Sequence, residues 1–240
     1  MKTIVAFDCD GTLIRGDATR CFLLLLLGPL RLLVLLLQLL PKLLDWGIGL
    51  CSTAQFKQIL IDRAIQVSPH SQLRNVLEEK LPQAIRKQLK STAKRRLLWH
   101  QNQGHRCIII TASPKPFVQS LADDLCMELI ATGSSDPLQL KNNEHFLLTT
   151  PNCKGVEKVR RLEQYLGILP VPDLLEAYGD SRGDKELLNA SARPHFRSFS
   201  QKTNSYYAFS VKRWVTLVLA IALLVFGLKN LLAISHADFL

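Results

Sequence analysis

Short apolar segments that end in polar loops recur along the chain, and segments with helical periodicity separate them. The apolar segments cover residues 1–7, 107–110, 128–133 and 174–178. They are strand-like because they are short, rich in β-branched residues and followed by turn-forming residues. This alternation of strand and helix predicts an α/β fold with a parallel sheet that is covered on both faces. In such a fold the functional loops lie at the carboxyl ends of the strands.

Composition and charge narrow the class of protein. Apolar residues make up 48% of the 240, which excludes a disordered chain. The 30 basic residues exceed the 20 acidic ones and give a formal charge of +10, which favours anionic partners such as phosphates or acidic lipid surfaces. The six cysteines form no C-x-x-C pair, so we expect reduced thiols in a cytosolic compartment rather than a zinc site or disulfides.

The first of two membrane-seeking segments covers residues 22–40, with 15 apolar residues in 19. Pro29 follows Gly28 in its middle, and proline removes a backbone donor, so we predict a break or kink there. Three arrangements stay open. The segment is one membrane span, a pair of interfacial or re-entrant helices, or a buried helical hairpin.

The second such segment lies near the carboxyl terminus. Residues 214–228 carry no charge, and residues 214–234 would extend about 30 Å as a helix, enough to cross a bilayer. Lys212 and Arg213 precede it and by the positive-inside tendency keep the preceding domain in the cytoplasm. We therefore predict a transmembrane helix at 211–234 and a membrane protein with a cytoplasmic catalytic domain, in the inner membrane if the source is bacterial.

A basic stretch between Arg86 and Arg96 contains six cations and no acidic residue. It is typical of a solvated helix face or of a surface that meets anionic lipid. A nucleic-acid partner is not expected, because no binding motif or interleaved aromatic residues accompany the charge. The sequence implies no protein partner.

Carboxylates follow two of the predicted strands. Asp8 and Asp10 flank Cys9, so in an extended backbone both carboxylates point the same way while the thiol turns to the other face. Asp180 and Asp184 follow a later strand. An all-oxygen cluster of this kind suits Mg²⁺, which takes one or two carboxylates and a substrate phosphate.

Two donors face these acids in the predicted sheet. Thr111 offers a hydroxyl at the end of a strand, and Lys154 is expected in the first turn of a helix, where free amides already favour an anion. A hydroxyl, an ammonium and free helix amides together favour a phosphate group as the bound anion. A carboxylate can attack phosphorus as a covalent nucleophile when a metal and a lysine neutralise the transferring oxygens.

Four segments carry a family resemblance. Residues 7–13, 110–114, 152–155 and 179–184 resemble, in order, the four motifs of the haloacid dehalogenase superfamily, and in particular its phosphoserine-phosphatase-like branch, subfamily IB. The resemblance covers residues 1–16 and about 97–192. It implies a Mg²⁺-dependent phosphomonoester hydrolase with a Rossmann-like core.

The resemblance also implies a role for each motif residue. Asp8 would be the nucleophile and Asp10 the general acid and base, while Thr111 and Lys154 would hold the phosphoryl group. Asp180 would complete the Mg²⁺ site with Asp8 and with the backbone carbonyl of Asp10. The remaining acid, Asp184, would orient Asp180 or a metal-bound water.

The predicted domains follow from the same resemblance, except for the transmembrane helix, which is predicted from the uncharged run alone. Residues 1–16 and 97–210 would form the core, residues 17–96 a helical, membrane-associated cap, and residues 211–234 the transmembrane helix. The leucine-rich cap is similar to that of the membrane-bound phosphatidylglycerophosphatase C group, which implies a phospholipid monophosphate such as phosphatidylglycerophosphate as substrate. The alternatives are a membrane-tethered phosphatase of a soluble phosphomonoester, such as phosphoserine or a sugar phosphate, and a non-catalytic membrane scaffold.

Asp17 opens the predicted cap. It is expected to cap a helix, with recognition of a substrate amine as the alternative.

Overall fold

The parallel sheet is the centre of the fold. The computed structural model of the protein describes residues 3–141, 143–167 and 175–199. Five parallel strands form one sheet in the order β3-β2-β1-β4-β5, the order of Rossmann-like sheets, so the predicted α/β core is confirmed. The strands are β1 (Ile4–Phe7), β2 (Arg106–Pro114), β3 (Glu128–Thr132), β4 (Leu175–Gly179) and β5 (Arg193–Phe196).

Helices fill the connections between the strands. Six of them, with a π-helical turn at Val76–Lys80, lie between β1 and β2 in the region assigned to the cap. They are α1 (Ala18–Gln38), α2 (Leu40–Gly47), α3 (Thr53–Gln66), α4 (His70–Asn75), α5 (Leu81–Gln88) and α6 (Ser91–Asn102). The rest are α7 (Lys115–Asp124), α8 (Val156–Leu166), a 3₁₀ turn at Arg182–Asp184 and α9 (Lys185–Asn189). The domain limits themselves remain a prediction.

The central strand β1 carries two opposite apolar faces. Val5 and Phe7 enter the core shared with the cap helices, whereas Ile4 and Ala6 enter the core beneath α8 and α9. This alternation follows from the two-residue period of a strand. Asp8, the next residue, therefore leaves β1 in the middle of the sheet edge.

Two antiparallel chain segments connect core and cap. The carbonyl of Leu13 accepts from the N–H of Lys90 at 2.9 Å, and the N–H of Arg15 donates to the carbonyl of Gln88 at 2.9 Å. Beyond these segments, Phe22 of α1 stacks on an aromatic ring of α7 with centroids 4.2 Å apart. The cap thus begins directly over the carboxyl end of β1.

Helix α1 is broken where the sequence predicts it. Gly28 has non-helical angles (φ 73°, ψ 169°) immediately before Pro29. The first half of the helix is packed into the protein, whereas the second half exposes Leu30 to 77%. By length and composition α1 is apolar enough to cross a membrane, with a mean hydropathy of 2.3. The predicted helix at 211–234 lies outside the residues that the structure describes.

The basic stretch is partly engaged within the protein. Arg86 donates to both carboxylate oxygens of Asp124, and Arg96 pairs with the buried Glu176 at 3.1 Å. These contacts hold α5 and α6 to the core. The charge that the sequence offers to solvent or lipid is smaller than the count of cations suggests.

Candidate active site

Asp8 lies at the centre of the sheet edge and is paired with a buried lysine. Its N–H donates to the carbonyl of Tyr178 at 2.9 Å, so the end of β4 fixes its backbone. Its Oδ1 accepts from Lys158 Nζ at 2.6 Å, and the same ammonium donates to Asp184 Oδ1 at 2.6 Å. All three side chains are almost completely buried. One cation thereby holds two carboxylates from different loops.

The lysine predicted to hold the phosphoryl group is Lys154, whereas the lysine that contacts Asp8 is Lys158. Helix α8 begins at Val156, so Lys154 precedes the helix instead of lying in its first turn, and it is exposed. Among the described residues, Lys154 forms no ion pair with an acidic side chain within 4 Å. Its side chain lies against Gly183 of the Asp180 loop, and its role as a phosphate ligand stays a prediction that these contacts do not test.

The sequence does contain a pattern that points to Lys158. It precedes the buried Leu162 by four residues on α8, so it occupies a core-facing position of an amphipathic helix. A lysine at such a position is unusual unless it is paired, because burial of an unpaired ammonium is costly. Its partners come from two distant loops and cannot be found from the periodicity alone.

Three carboxylates gather around this lysine. Oxygen atoms of Asp8, Asp180 and Asp184 all lie within 4.8 Å of one another. The other oxygen of Asp184, Oδ2, accepts from the backbone N–H groups of Asp180 at 3.3 Å and of Ser181 at 3.0 Å. Asp184 thus orients the Asp180 loop, which is the role that the family resemblance implies.

Gly11 is required beside this cluster. Its φ is +77°, and a Cβ at this position would lie 2.2 Å from Asp180 Oδ2. Any side chain would therefore displace Asp180 and strain the backbone.

Asp10 does not point with Asp8, contrary to the expectation from an extended backbone. The chain turns after Cys9, whose carbonyl accepts from the N–H of Leu13 at 2.9 Å. Asp10 Oδ2 then accepts from Ser113 Oγ at 2.6 Å, and its Oδ1 from the N–H of Ala18 at 2.8 Å. Its carboxylate faces the start of the cap and is not one of the three clustered acids.

The end of β2 supplies two hydroxyl groups next to Asp10. Thr111 is fully buried, and its Oγ1 accepts from the N–H of Ser113 at 3.1 Å. Its predicted phosphate contact is not tested by these distances. Ser113 was not among the predicted site residues, although it lies two residues after Thr111 in the same motif.

Asp17 lies at the start of the cap. It caps α1 by accepting from the N–H of Arg20 at 2.7 Å, as predicted.

Two lysines reach the site from outside the core. Lys57 of α3 donates to the carbonyl of Ala112 at 3.1 Å, and Lys90 donates to the carbonyl of Gly11. Burial lowers the pKa of both. The sequence analysis did not assign either residue to the site, because their positions depend on how the cap folds back onto the core.

The pKa values of Asp8 and Lys158 are both raised, but for different reasons. Burial, with the neighbouring Asp184 and Asp10, raises the pKa of Asp8 to about 7, although Lys158 opposes the rise. For Lys158, burial lowers the pKa, but the two carboxylates outweigh it and raise the pKa above its usual range. Lys158 is therefore a permanent cation, and Asp8 needs further positive charge to stay ionised at neutral pH.

Asp10 and Asp180 also have raised pKa values, so nearby positive charge would favour their ionised forms. Burial and Asp17 raise the pKa of Asp10 to about 6, and burial and Asp184 raise that of Asp180. Among the described residues, the Asp180 carboxylate accepts one hydrogen bond, a long one of 3.4 Å from Thr12 Oγ1. Three clustered carboxylates with one ammonium among them carry excess negative charge, and such hard oxygens fit a divalent cation such as Mg²⁺. Asp8 and Asp180 would hold it.

Comparison with known proteins identifies this arrangement. Residues 5–189 match the haloacid dehalogenase-like hydrolase family. The chain belongs to this family. It is accordingly a phosphatase-like hydrolase, and members of the family are typically Mg²⁺-dependent. The alternative of a non-catalytic scaffold is not supported.

Individual proteins are also similar to this chain. Protein CicA of Caulobacter vibrioides is 31% identical over 209 residues, which cover 83% of this chain and 87% of that protein. A protein of unknown function from Bordetella pertussis Tohama I has a TM-score of 0.63 at 22% identity, covering 81% of this chain and 89% of its own. A substrate-bound phosphoserine phosphatase has a TM-score of 0.53 at 15% identity, covering 80% and 83%. These structures share the fold with this chain.

The two lysines near the site can be distinguished by substitution. We expect Lys158→Met to lower kcat/KM at least about 100-fold, because it removes the cation that holds Asp8 and would neutralise the transferring phosphoryl group. Lys154→Met should lower it less than about tenfold, since that ammonium is exposed. The measurement is steady-state hydrolysis of p-nitrophenyl phosphate by both purified variants.

Thermal melts of both variants are the control, because Lys158→Met leaves two buried carboxylates without their partner. Lys158→Arg keeps the charge and should be the less damaging change. A larger loss for Lys154→Met than for Lys158→Met would show that the lysine chosen from the motif is the functional one.

The acidic cluster also predicts a pH dependence of stability. Because folding raises the pKa of Asp8 from 3.8 to about 7, the folded state binds a proton more tightly at this group, and the contribution of Asp8 to metal-free stability should fall as the pH rises from about 4 to about 7. Mg²⁺ competes with these protons, so the rise in Tm on adding Mg²⁺ should be larger at about pH 8 than at about pH 5. Asp180→Asn should remove most of this rise, whereas the exposed Asp123→Asn should keep it. An equal rise at both pH values would contradict the site.

Proposed function

We propose that the protein is a Mg²⁺-dependent phosphomonoesterase that acts through an aspartyl-phosphate on Asp8. The observation that carries this proposal is the buried Lys158, which fixes one Asp8 oxygen at 2.6 Å. The other Asp8 oxygen accepts no hydrogen bond from the part of the chain that the structure describes, and it lies at the carboxyl end of the sheet. A nucleophilic carboxylate needs this fixed line of attack rather than an unusually low pKa.

The chemistry then divides into two steps. In the first, the free Asp8 oxygen bonds to phosphorus as the ester P–O bond breaks, and Asp10 gives its proton to the leaving alcohol. In the second, Asp10 takes a proton from a water that attacks the phosphorus, which releases phosphate and restores Asp8. A pKa of about 6 suits a group that must both give and accept a proton near neutral pH.

Each remaining residue has a part in this scheme. Lys158 neutralises charge on the phosphoryl oxygens, and Ser113 holds the Asp10 carboxylate at the cap side of the site. Thr111 is proposed as a hydroxyl ligand of the phosphoryl group. Bound Mg²⁺ would supply the additional positive charge that Asp8 and Asp180 require.

We propose a phospholipid monophosphate, such as phosphatidylglycerophosphate, as the substrate. Apolar side chains of the cap support this choice. Leu30 on α1 and Ile48 after α2 are 77% and 72% exposed, and Val34 and Leu44 are exposed beside them. Such side chains are typical of a surface that enters the apolar edge of a bilayer.

The start of α1 favours an interfacial position of the cap over a complete span. The N–H of Ala18 donates to the catalytic Asp10, and the helix from there to Gly28 is packed in the protein. Leu30 is then no more than about 18 Å along the helix from the site, at about 1.5 Å per residue. We propose that the exposed half of α1 and α2 lie on the cytoplasmic face of the membrane, where a lipid headgroup can reach Asp8.

A substrate panel tests this function. Full-length protein in detergent is assayed for phosphate release from phosphatidylglycerophosphate, phosphatidic acid, phosphoserine and a sugar phosphate, with and without Mg²⁺. We expect Mg²⁺-dependent release, with kcat/KM highest for a lipid substrate. Efficient hydrolysis of the soluble esters without hydrolysis of the lipids would contradict the proposed lipid substrate. Phosphate release that is unaffected by chelation of Mg²⁺ would contradict the proposed metal dependence.

Asp8→Asn is the matched control for every substrate in the panel. It keeps the shape of the side chain but removes the nucleophilic oxygen, so phosphate release should fall to background while the circular dichroism spectrum is unchanged. Activity retained by this variant would contradict the aspartyl-phosphate mechanism.

A further inference from the structure

The segment that follows β5 returns to the metal-binding edge of the sheet. Phe196 of β5 pairs with Gly179 of β4, and Phe199 is buried against Tyr178 with ring centroids 5.0 Å apart. Arg197 lies between these two anchored residues. It is fixed beside the loop that begins with Asp180, although it comes after the 5–189 family match.

Arg197 contacts this loop through two hydrogen bonds. Its backbone N–H donates to the carbonyl of Gly179 at 2.8 Å, and its Nε donates to the backbone carbonyl of Asp180 at 3.1 Å. The residue has a φ of 54°, in the left-handed region that an arginine rarely adopts. A strained backbone at a site where one residue makes two bonds to a functional loop suggests a positioning role.

These bonds complete the support of Asp180. The N–H of Asp180 donates to Asp184 Oδ2, and its carbonyl accepts from Arg197, so its main chain is held from both sides. The carboxylate between them is one of the three clustered acids, and it has few hydrogen bonds of its own. Its direction is therefore set by its backbone.

We propose that Arg197 is a positioning residue for the divalent cation, and that it acts by fixing the backbone of Asp180. This inference rests on the Mg²⁺ site of the proposed function. It assigns a functional part to the segment after β5, which no motif of the sequence marks. Arg197 is exposed and its guanidinium bonds the main chain of Asp180, and because an arginine side chain is a permanent cation without an acceptor atom, it is not a ligand itself.

The change in Mg²⁺ affinity on substitution of Arg197 distinguishes a positioning role from a purely electrostatic effect of its charge. At a pH above the titration range of Asp180, where protons do not compete for its carboxylate, removing a nearby positive charge should by itself tighten the binding of a cation, because it removes a repulsion. Loss of the bond that holds Asp180 should weaken binding, because the ligand is no longer preorganised. The two effects have opposite signs, so the direction of the change identifies the cause.

The experiment measures the Mg²⁺ dissociation constant of the full chain in detergent by isothermal titration calorimetry. Arg197→Asn is the test variant, since asparagine tolerates the left-handed region and keeps the backbone bond to Gly179. We expect its dissociation constant to rise about three- to tenfold, which corresponds to the loss of one solvent-exposed hydrogen bond. Arg193→Asn, a change at an exposed arginine of the preceding strand β5, should leave the constant within about twofold.

Each outcome decides the proposal. An unchanged or lower dissociation constant for Arg197→Asn overturns it, while wild-type protein that binds no Mg²⁺ overturns the proposed metal site instead. Arg197→Lys keeps the charge with a different donor geometry and should weaken binding to an intermediate degree. If Arg197→Asn does not fold, the Lys variant carries the test, and an unchanged constant for it overturns the proposal.

Discussion

The buried ammonium of Lys158 is the interaction on which the site depends. It neutralises part of the charge on Asp8 and Asp184, which come from loops 176 residues apart along the chain and could not otherwise lie together in a dry environment. Removing one partner of such a pair typically costs about 3–5 kcal/mol. Lys158 fixes both Asp8, the proposed nucleophile, and Asp184, which orients Asp180. The stability of the fold and the proposed function therefore depend on the same lysine.

The topology of the sheet explains why distant motifs converge. Residues that follow β1, β2 and β4 meet at one edge because these strands are parallel neighbours, and the alternation of strand and helix was sufficient to predict this. The acids of the first and last motifs could be assigned for that reason. Asp17 was also predictable, because a helix N-cap is a local property of the sequence.

Other parts of the site depend on the three-dimensional path of the chain. The direction of Asp10 follows from a turn after Cys9 that period-two alternation does not include, and the choice between Lys154 and Lys158 depends on where α8 begins. Lys154 lies just before the helix and Lys158 in its first turn, and a motif match does not resolve that difference. Lys57 required knowledge of how the cap folds back, which is a tertiary property.

The central claim is that Asp8 becomes phosphorylated during turnover, and the direct measurement is chemical trapping of this acyl phosphate. Protein mixed with substrate and Mg²⁺ is quenched in acid, reduced with borohydride and mapped by mass spectrometry, since reduction converts an aspartyl-phosphate to homoserine. The account predicts homoserine at position 8, dependent on substrate. Modification of a different residue, or continued hydrolysis with an unmodified Asp8 peptide, would contradict it.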